Sequence, residues 1–229
     1  MRFFTTAFCT VCTFLMIMTD ACCASYNYIQ QKCRQISAQN PPKISIIYNC
    51  GNLQYNTDLD QKQLAELNYK ITGERKENLN GLTSLEPTIT VDGVVFKHER
   101  LDENRVCLYP EELKIKVKFN PIIYILSSIP KDSCQYNLTL RHEQTHIDIG
   151  YTALDLLLKA LSNKLPDIAW STTVRVVNVS ADKNVLEEIN STYQQQVLTI
   201  WDIFKNALDE QHKRLDTQEN YIRESKMCQ

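Results

Sequence analysis

Glycine and proline are scarce in this sequence, five and seven among 229 residues, while 43% of the chain is hydrophobic. That is the composition of one ordinary globular domain able to bury a core. The sequence has no block of Lys or Arg and no interleaving of aromatic with basic residues, and its net charge is −2. Those absences argue against a nucleic-acid partner. No segment repeats at a fixed period, which excludes solenoids and propellers. Beyond residue 25 there is no CxxC pair, so neither a zinc ribbon nor a thioredoxin-like redox motif is indicated.

The uncharged stretch Phe3 to Met18 follows Arg2 and is shorter than the roughly 20 apolar residues a bilayer span needs. It is rich in Thr and Cys and closes on Asp20 and a small-residue patch, Ala21-Cys22-Cys23-Ala24-Ser25. This is the profile of a secretory signal peptide over residues 1–24, cleaved near Ala24, and it predicts a periplasmic or secreted protein with no stable membrane span. Lipidation at Cys22 or Cys23 is the weaker alternative, because Thr19 occupies the place three before Cys22 where an aliphatic residue is usual. Of nine cysteines, cleavage leaves Cys33, Cys50, Cys107, Cys134 and Cys228, so at least one is unpaired. An exported protein can hold disulfides. Cys134 precedes the motif-bearing helix and Cys228 closes the last one, so a Cys134–Cys228 bridge would pin the terminus near that helix; two free thiols are the alternative.

Residues 25–229 read as a single α+β domain. Lys43–Tyr48 predicts a strand, Asp60–Tyr69 a helix, and the polar stretch Thr72–Pro87 a loop or hairpin. Short β-branched and aromatic runs at Ile89–Val91, Val94–Phe96, Val106–Tyr109, Leu113–Phe119 and Ile122–Leu126 predict a mostly antiparallel sheet. In Leu113–Phe119 apolar residues alternate with Lys, placing one face in a core and the other in water rather than forming a ligand-binding stripe. Tyr136–Asn163 predicts a helix interrupted only by Gly150 and followed by Pro166. A strand at Val174–Val179 precedes Val185–Met227, a stretch without Gly or Pro whose apolar residues recur at helical intervals, predicting one long terminal helix.

Two of only four histidines lie in Arg141-His142-Glu143-Gln144-Thr145-His146. On a helix, residues four apart share a face, so both imidazoles of this HExxH motif can reach one ion. Zinc accepts imidazole nitrogen, keeps a position open for water in catalytic sites, and lowers the pKa of that water to about 7. Glu143, beside the histidines, is then the general base that takes its proton and later protonates the leaving amine. The pattern predicts a zinc-dependent hydrolase, a peptidase, acting on a peptide or protein substrate. The bland reading is a chance occurrence on an ordinary helix, but the flanking Leu138, Leu140, Ile147 and Ile149 argue for a partly buried setting.

Such a zinc needs a third protein ligand, and none follows the motif locally, because Gly150 precedes Tyr151-Thr152. On the terminal helix the apolar stripe through Phe204 and Leu208 continues into His212, Leu215 or Asp216, and Glu219. His212 as ligand with Asp216 as its hydrogen-bond acceptor is the first expectation, and Glu219 as a carboxylate ligand the alternative. Tyr221 is a candidate to approach the metal or a developing oxyanion, and Arg141 and Asp148 flank the motif. His98, between Lys97 and Glu99, reads as an exposed turn residue.

Leu140-Arg141-His142-Glu143-Gln144-Thr145-His146-Ile147-Asp148-Ile149 resembles a family of exported bacterial proteins regarded as zinc-dependent proteases, the bacterial domain of unknown function 922. There HExxH is followed by an aliphatic or aromatic residue, Asp and Ile, as in His146-Ile147-Asp148-Ile149. The family's C-terminal Tyr-Asp, Thr and His-Gly signature is similar to Leu215-Asp216-Thr217 through Tyr221, which lacks the His and Gly. The resemblance implies a zinc peptidase of the bacterial envelope; the fold expected from the elements is a mostly antiparallel sheet packed against the HExxH helix and a long C-terminal helix, a zincin-like arrangement. Two other classes are weighed against it. One is a non-enzymatic envelope protein with a structural zinc closed by Glu219, and the other an adhesion or inhibitor module.

Overall fold

The computed structural model describes residues 27–179 and 182–228, so the expected signal peptide lies outside the described residues. The fold class is α+β. In chain order the elements are helix α1 (27–39), strands β1 (Lys43–Cys50) and β2 (Gln54–Asn56), helix α2 (Gln61–Thr72), and strands β3 (Gly81–Ser84), β4 (Thr88–Arg100), β5 (Arg105–Phe119) and β6 (Ile122–Ile125). Helix α3 (Cys134–Thr173), strand β7 (Arg175–Asn178), helices α4 (Asp182–Leu215) and α5 (Gln218–Ser225) and a short 3-10 turn (Lys226–Cys228) complete the chain. One sheet has the order β1-β5-β4 with β7 also paired to β5, and a second has the order β2-β6-β3. The second is mixed rather than antiparallel throughout, since β2 runs parallel to β6 and β3 antiparallel to it.

Within 25–229 the described residues gather into two compact units. The first comprises 27–44, Gly93–Leu113 and Pro166–Tyr193. Its β7 pairs antiparallel with β5, Arg105 opposite Asn178 and Leu108 opposite Arg175. A disulfide joins Cys33 of α1 to Cys107 of β5, and with Tyr109 these residues form a core that Ile36, Leu101 and Val176 pack against. Leu108, Val177 and Ile189 form a second cluster.

The second unit, Ser45–Asp92, Lys114–Leu165 and 194–229, carries the HExxH motif. Asp60 caps α2 in a reciprocal capping box with Gln63, and Gly73 ends that helix at a left-handed φ of 75°. The polar stretch expected to be loop or hairpin contains β3, whose Leu82 joins Leu64 and Leu126 in a core cluster. Three expected boundaries move. The paired short runs are single strands, β4 passing through Gly93 at φ 102° and β5 through the buried Pro110. Helix α3 continues past Asn163 with Pro166 inside it; the lost hydrogen bond is tolerated because Leu161, Leu165 and Ala169 around it are fully buried. The long terminal helix breaks after Leu215, where Thr217 adopts an extended backbone and its hydroxyl caps the new helix at the Asn220 amide.

Gly150 is a close-approach position on α3. A Cβ there would lie 2.7 Å from Leu85 and 2.8 Å from the Phe119 ring. The motif, one turn earlier on the same face, is thereby pressed against the sheet. Two disulfides close loops of 74 and 94 residues, each removing chain entropy worth about 4 to 5 kcal/mol from the unfolded state in the simplest model. Among the described residues Cys50 is the free thiol.

In β5, Leu113, Ile115, Val117 and Phe119 are buried, whereas Lys116 and Lys118 are exposed, Lys116 pairing with Asp92 at 2.6 Å. Ile115→Ala is therefore expected to cost about 2 to 5 kcal/mol through lost burial and a residual cavity. Lys116→Ala should cost under about 1 kcal/mol, an exposed pair being weak. Urea unfolding of the two variants checks the contrast, and equal midpoints would contradict the assigned faces.

Candidate metal centre

Helix α3 turns a continuous stripe inward: Leu138, Thr139, His142, Glu143, His146, Ile147, Gly150, Leu154, Leu157, Leu161 and Leu165 are all buried. The spacing is that of one helical face, apolar at its C-terminal end and polar at the motif. Buried imidazoles and carboxylates need partners, and each has one. The Nε2 atoms of His142 and His146 lie 3.2 and 3.0 Å from the same oxygen, Oδ1 of Asp216. His142 Nδ1 is 3.0 Å from Glu224 Oε2, and His146 Nδ1 is 2.8 Å from His212 Nδ1. Tyr221 donates its hydroxyl to Asp216 Oδ1 at 2.7 Å, and Lys76 donates to Oδ2 at 3.3 Å.

His142, His146 and Asp216 form a group that could hold a metal ion, one ligand atom from each lying within 4.8 Å of the others. Two imidazoles and a carboxylate are a donor set that zinc accepts. Tetrahedral ligands at roughly 2 Å from zinc stand about 3.3 Å apart, close to the 3.2 and 3.0 Å from each histidine Nε2 to Asp216 Oδ1. The nitrogens behind the ligating ones fit as well. With Nε2 turned to an ion, each Nδ1–H must donate, and Glu224 and His212 stand there as acceptors. Burial, followed by the neighbouring His146, pushes His212 down to about 4, so it is the neutral imidazole such an acceptor has to be.

Asp216 thus stands where His212 or Glu219 was expected. His212 lies behind His146, and Glu219 is exposed at the first turn of α5. Asp216 follows His212 by about one turn on the same inward stripe, its amide still bonding the His212 carbonyl, and the regular helix breaks just after Leu215. Thr217, an N-capping residue type, was the local signal for that break. Arg141 is exposed with Nη2 3.0 Å from Met227 Sδ, and Asp148 is exposed. His98 is exposed. Cys134 and Cys228, paired by position in the sequence, are bonded. Sequence inspection missed Glu224, Lys76, Thr83 and Gly81, which carry no motif.

The last two of these hold Glu143. Thr83 Oγ1 lies 2.8 Å from Glu143 Oε2 and 3.1 Å from its carbonyl oxygen, and can donate to either. Gly81, two residues earlier on the same face of β3, leaves no room for a side chain: a Cβ would fall 2.6 Å from Glu143 Oε1 and from Thr139. Burial raises the Glu143 carboxyl above its ordinary value, although His146, Thr83 and His142 pull the other way. Burial works against the His142 cation, but the Asp216 hydrogen bond and the charges of Glu143, Glu224 and Asp216 outweigh it and raise its pKa. Asp216 is held far below the usual carboxylate range; burial opposes this, and the two histidines and Tyr221 prevail. Burial and then the Asp216 charge push the Tyr221 hydroxyl well up, so it stays a donor.

His142, Glu143, Asp216, Tyr221 and Glu224 form one wall of a cavity of about 580 Å³. Lys76 and residues Asn78 to Gly81 line it too. The chain matches no protein-family model, no curated protein and no solved structure. Among the described residues, no helix is long and apolar enough to cross a membrane.

Gly81→Ala should displace Glu143 or β3 and lower stability by about 1 to 3 kcal/mol, the usual cost of overpacking. Thermal unfolding beside Gly73→Ala, where a Cβ meets nothing and only the left-handed φ is strained, separates crowding from backbone strain. A Gly81→Ala protein as stable as the wild type would contradict the close approach.

Proposed function

We propose that the chain is a zinc-dependent hydrolase acting on peptide bonds, with His142, His146 and Asp216 as metal ligands and Glu143 as general base. The observation that carries this reading is the convergence of two imidazole nitrogens and one carboxylate oxygen beside a buried, restrained glutamate, with His142, Glu143 and Asp216 lining one cavity. A bound zinc would supply a Lewis acid and a water of lowered pKa.

The remaining chemistry belongs to the side chains. Glu143, made more basic by burial, takes a proton from the attacking water and returns it to the leaving amine, while Thr83 holds one of its oxygens. Tyr221 lines the cavity with a hydroxyl that stays protonated, placed to donate to an oxyanion developing beside the metal ligands. Strand β3 sits at the end of its sheet order, and Asn78 to Gly81 line the cavity, so an extended peptide could lie along that edge. In this arrangement the fold is zincin-like.

The structural-clip reading needs a fourth protein ligand, and Glu219, the candidate, is exposed and outside the cavity lining. The site therefore favours an open position for water or substrate. Export is part of the proposal: the uncharged N-terminal run followed by small residues, together with two disulfides, fits an oxidising compartment of the bacterial envelope.

Elemental analysis of the purified chain should find one zinc, lost in His146→Ala and in Asp216→Ala. Glu143→Gln should keep the metal while hydrolysis of an unfolded protein substrate falls by about 10² to 10⁴, the range of general-base effects. A wild type that stays metal-free after zinc is offered overturns the reading.

A further inference from the structure

Helix α5 brings two of the polar groups at the centre, Tyr221 and Glu224, yet nothing in its own make-up secures it. It has eight residues and buries none of them. Isolated helices shorter than roughly 12 to 15 residues are marginal in water. With no side chain buried in a core, α5 is held by its ends and by polar contacts, Tyr221 bonding Asp216 and lying against the His142 ring at 5.0 Å between centroids. At the start, Thr217 caps it and Asn220 Nδ2 donates to the Leu215 carbonyl at 2.9 Å. At the far end Cys228 is bonded to Cys134, the first residue of α3, and Arg141 Nη2 lies 3.0 Å from Met227 Sδ. Cys134 lies about two helical turns before His142, the residue that Glu224 contacts. The disulfide, Glu224 and His142 therefore close a small ring of structure: α3, the bond, the 3-10 turn, α5 and back to α3.

Resting on the metal-site reading above, we propose that α5 is a strap whose Glu224 orients His142 for the metal, and that the Cys134–Cys228 bond holds it there. Glu224 is a positioning residue. Its carboxylate accepts from Nδ1 and so keeps Nε2 turned toward Asp216. Without the bond, the marginal helix frays from its C-terminal end, and Glu224, one turn before Cys228, leaves first. Closing the bond takes two electrons and two protons from the Cys134 and Cys228 thiols, with an oxidising disulfide as acceptor that is reduced to two thiols. The metal centre is thereby completed only where such an oxidant prevails, and a reducing compartment leaves the site weak. The second bond, Cys33–Cys107, lies in the other unit and serves as the internal control.

The test is zinc affinity of the purified chain, measured by competition with a chromophoric chelator, for the wild type, Glu224→Gln, Cys134→Ser/Cys228→Ser, their combination, and Cys33→Ser/Cys107→Ser. Loss of an outer partner of a metal-bound histidine costs about 10- to 100-fold in affinity, and that loss is expected for Glu224→Gln and for the Cys134/Cys228 pair. Because both act through one contact, the combination should bind no more than about twofold more weakly than the weaker of the two. The Cys33/Cys107 variant should stay within about twofold of wild type where it remains folded by circular dichroism. Wild-type affinity in Glu224→Gln overturns the positioning role, and losses that multiply in the combination overturn the strap. A wild type that binds no zinc overturns the metal reading itself, an outcome distinct from both.

Discussion

One carboxylate oxygen, Asp216 Oδ1, faces the Nε2 atoms of His142 and His146 and accepts a hydrogen bond from Tyr221. Buried imidazoles leave little room for error, because an unpaired polar group inside a protein is costly. The surrounding arrangement follows from keeping these groups satisfied while leaving them able to exchange a shared carboxylate for a shared ion. Glu224 and His212 take the rear nitrogens, Lys76 takes the second oxygen of Asp216, and the cavity stands on the open side.

The two sides of this centre are built by different means. Helix α3 is rigid where it matters: its inward stripe is apolar below the motif, and Gly150 lets the helix press against Leu85 and Phe119. Strand β3 is locked to β6 by register and meets Glu143 through Gly81 and Thr83. Asp216 and α5, by contrast, sit after a helix break and are fastened by a cap, polar contacts and a disulfide rather than by a core.

Much of the local structure was legible. The alternation in Leu113–Phe119 marks its buried and exposed faces because side chains in a strand point alternately. HExxH names three residues that share a helical face for the same kind of reason. Where the reading of elements failed, a tertiary demand overrode a local signal. Pro166 stays inside α3 because its neighbours are buried, and β4 and β5 each run unbroken through residues that usually interrupt strands.

What the sequence determined by itself is the set of relations that span a turn or two: the inward pair of histidines with Glu143, the faces of β5, and an α+β composition. What only the tertiary structure decided is which distant groups complete them. Asp216 rather than His212 lies against the Nε2 atoms of both imidazoles, some 70 residues along the chain from His146, although it shares the inward helical stripe with His212. Thr83 and Gly81 reach Glu143 only once β3 has paired with β6, and Glu224 reaches His142 only once α5 has folded back. Helical and strand periodicity are properties of neighbouring residues and can be read along the chain. The meeting of remote side chains depends on packing, which no local period encodes.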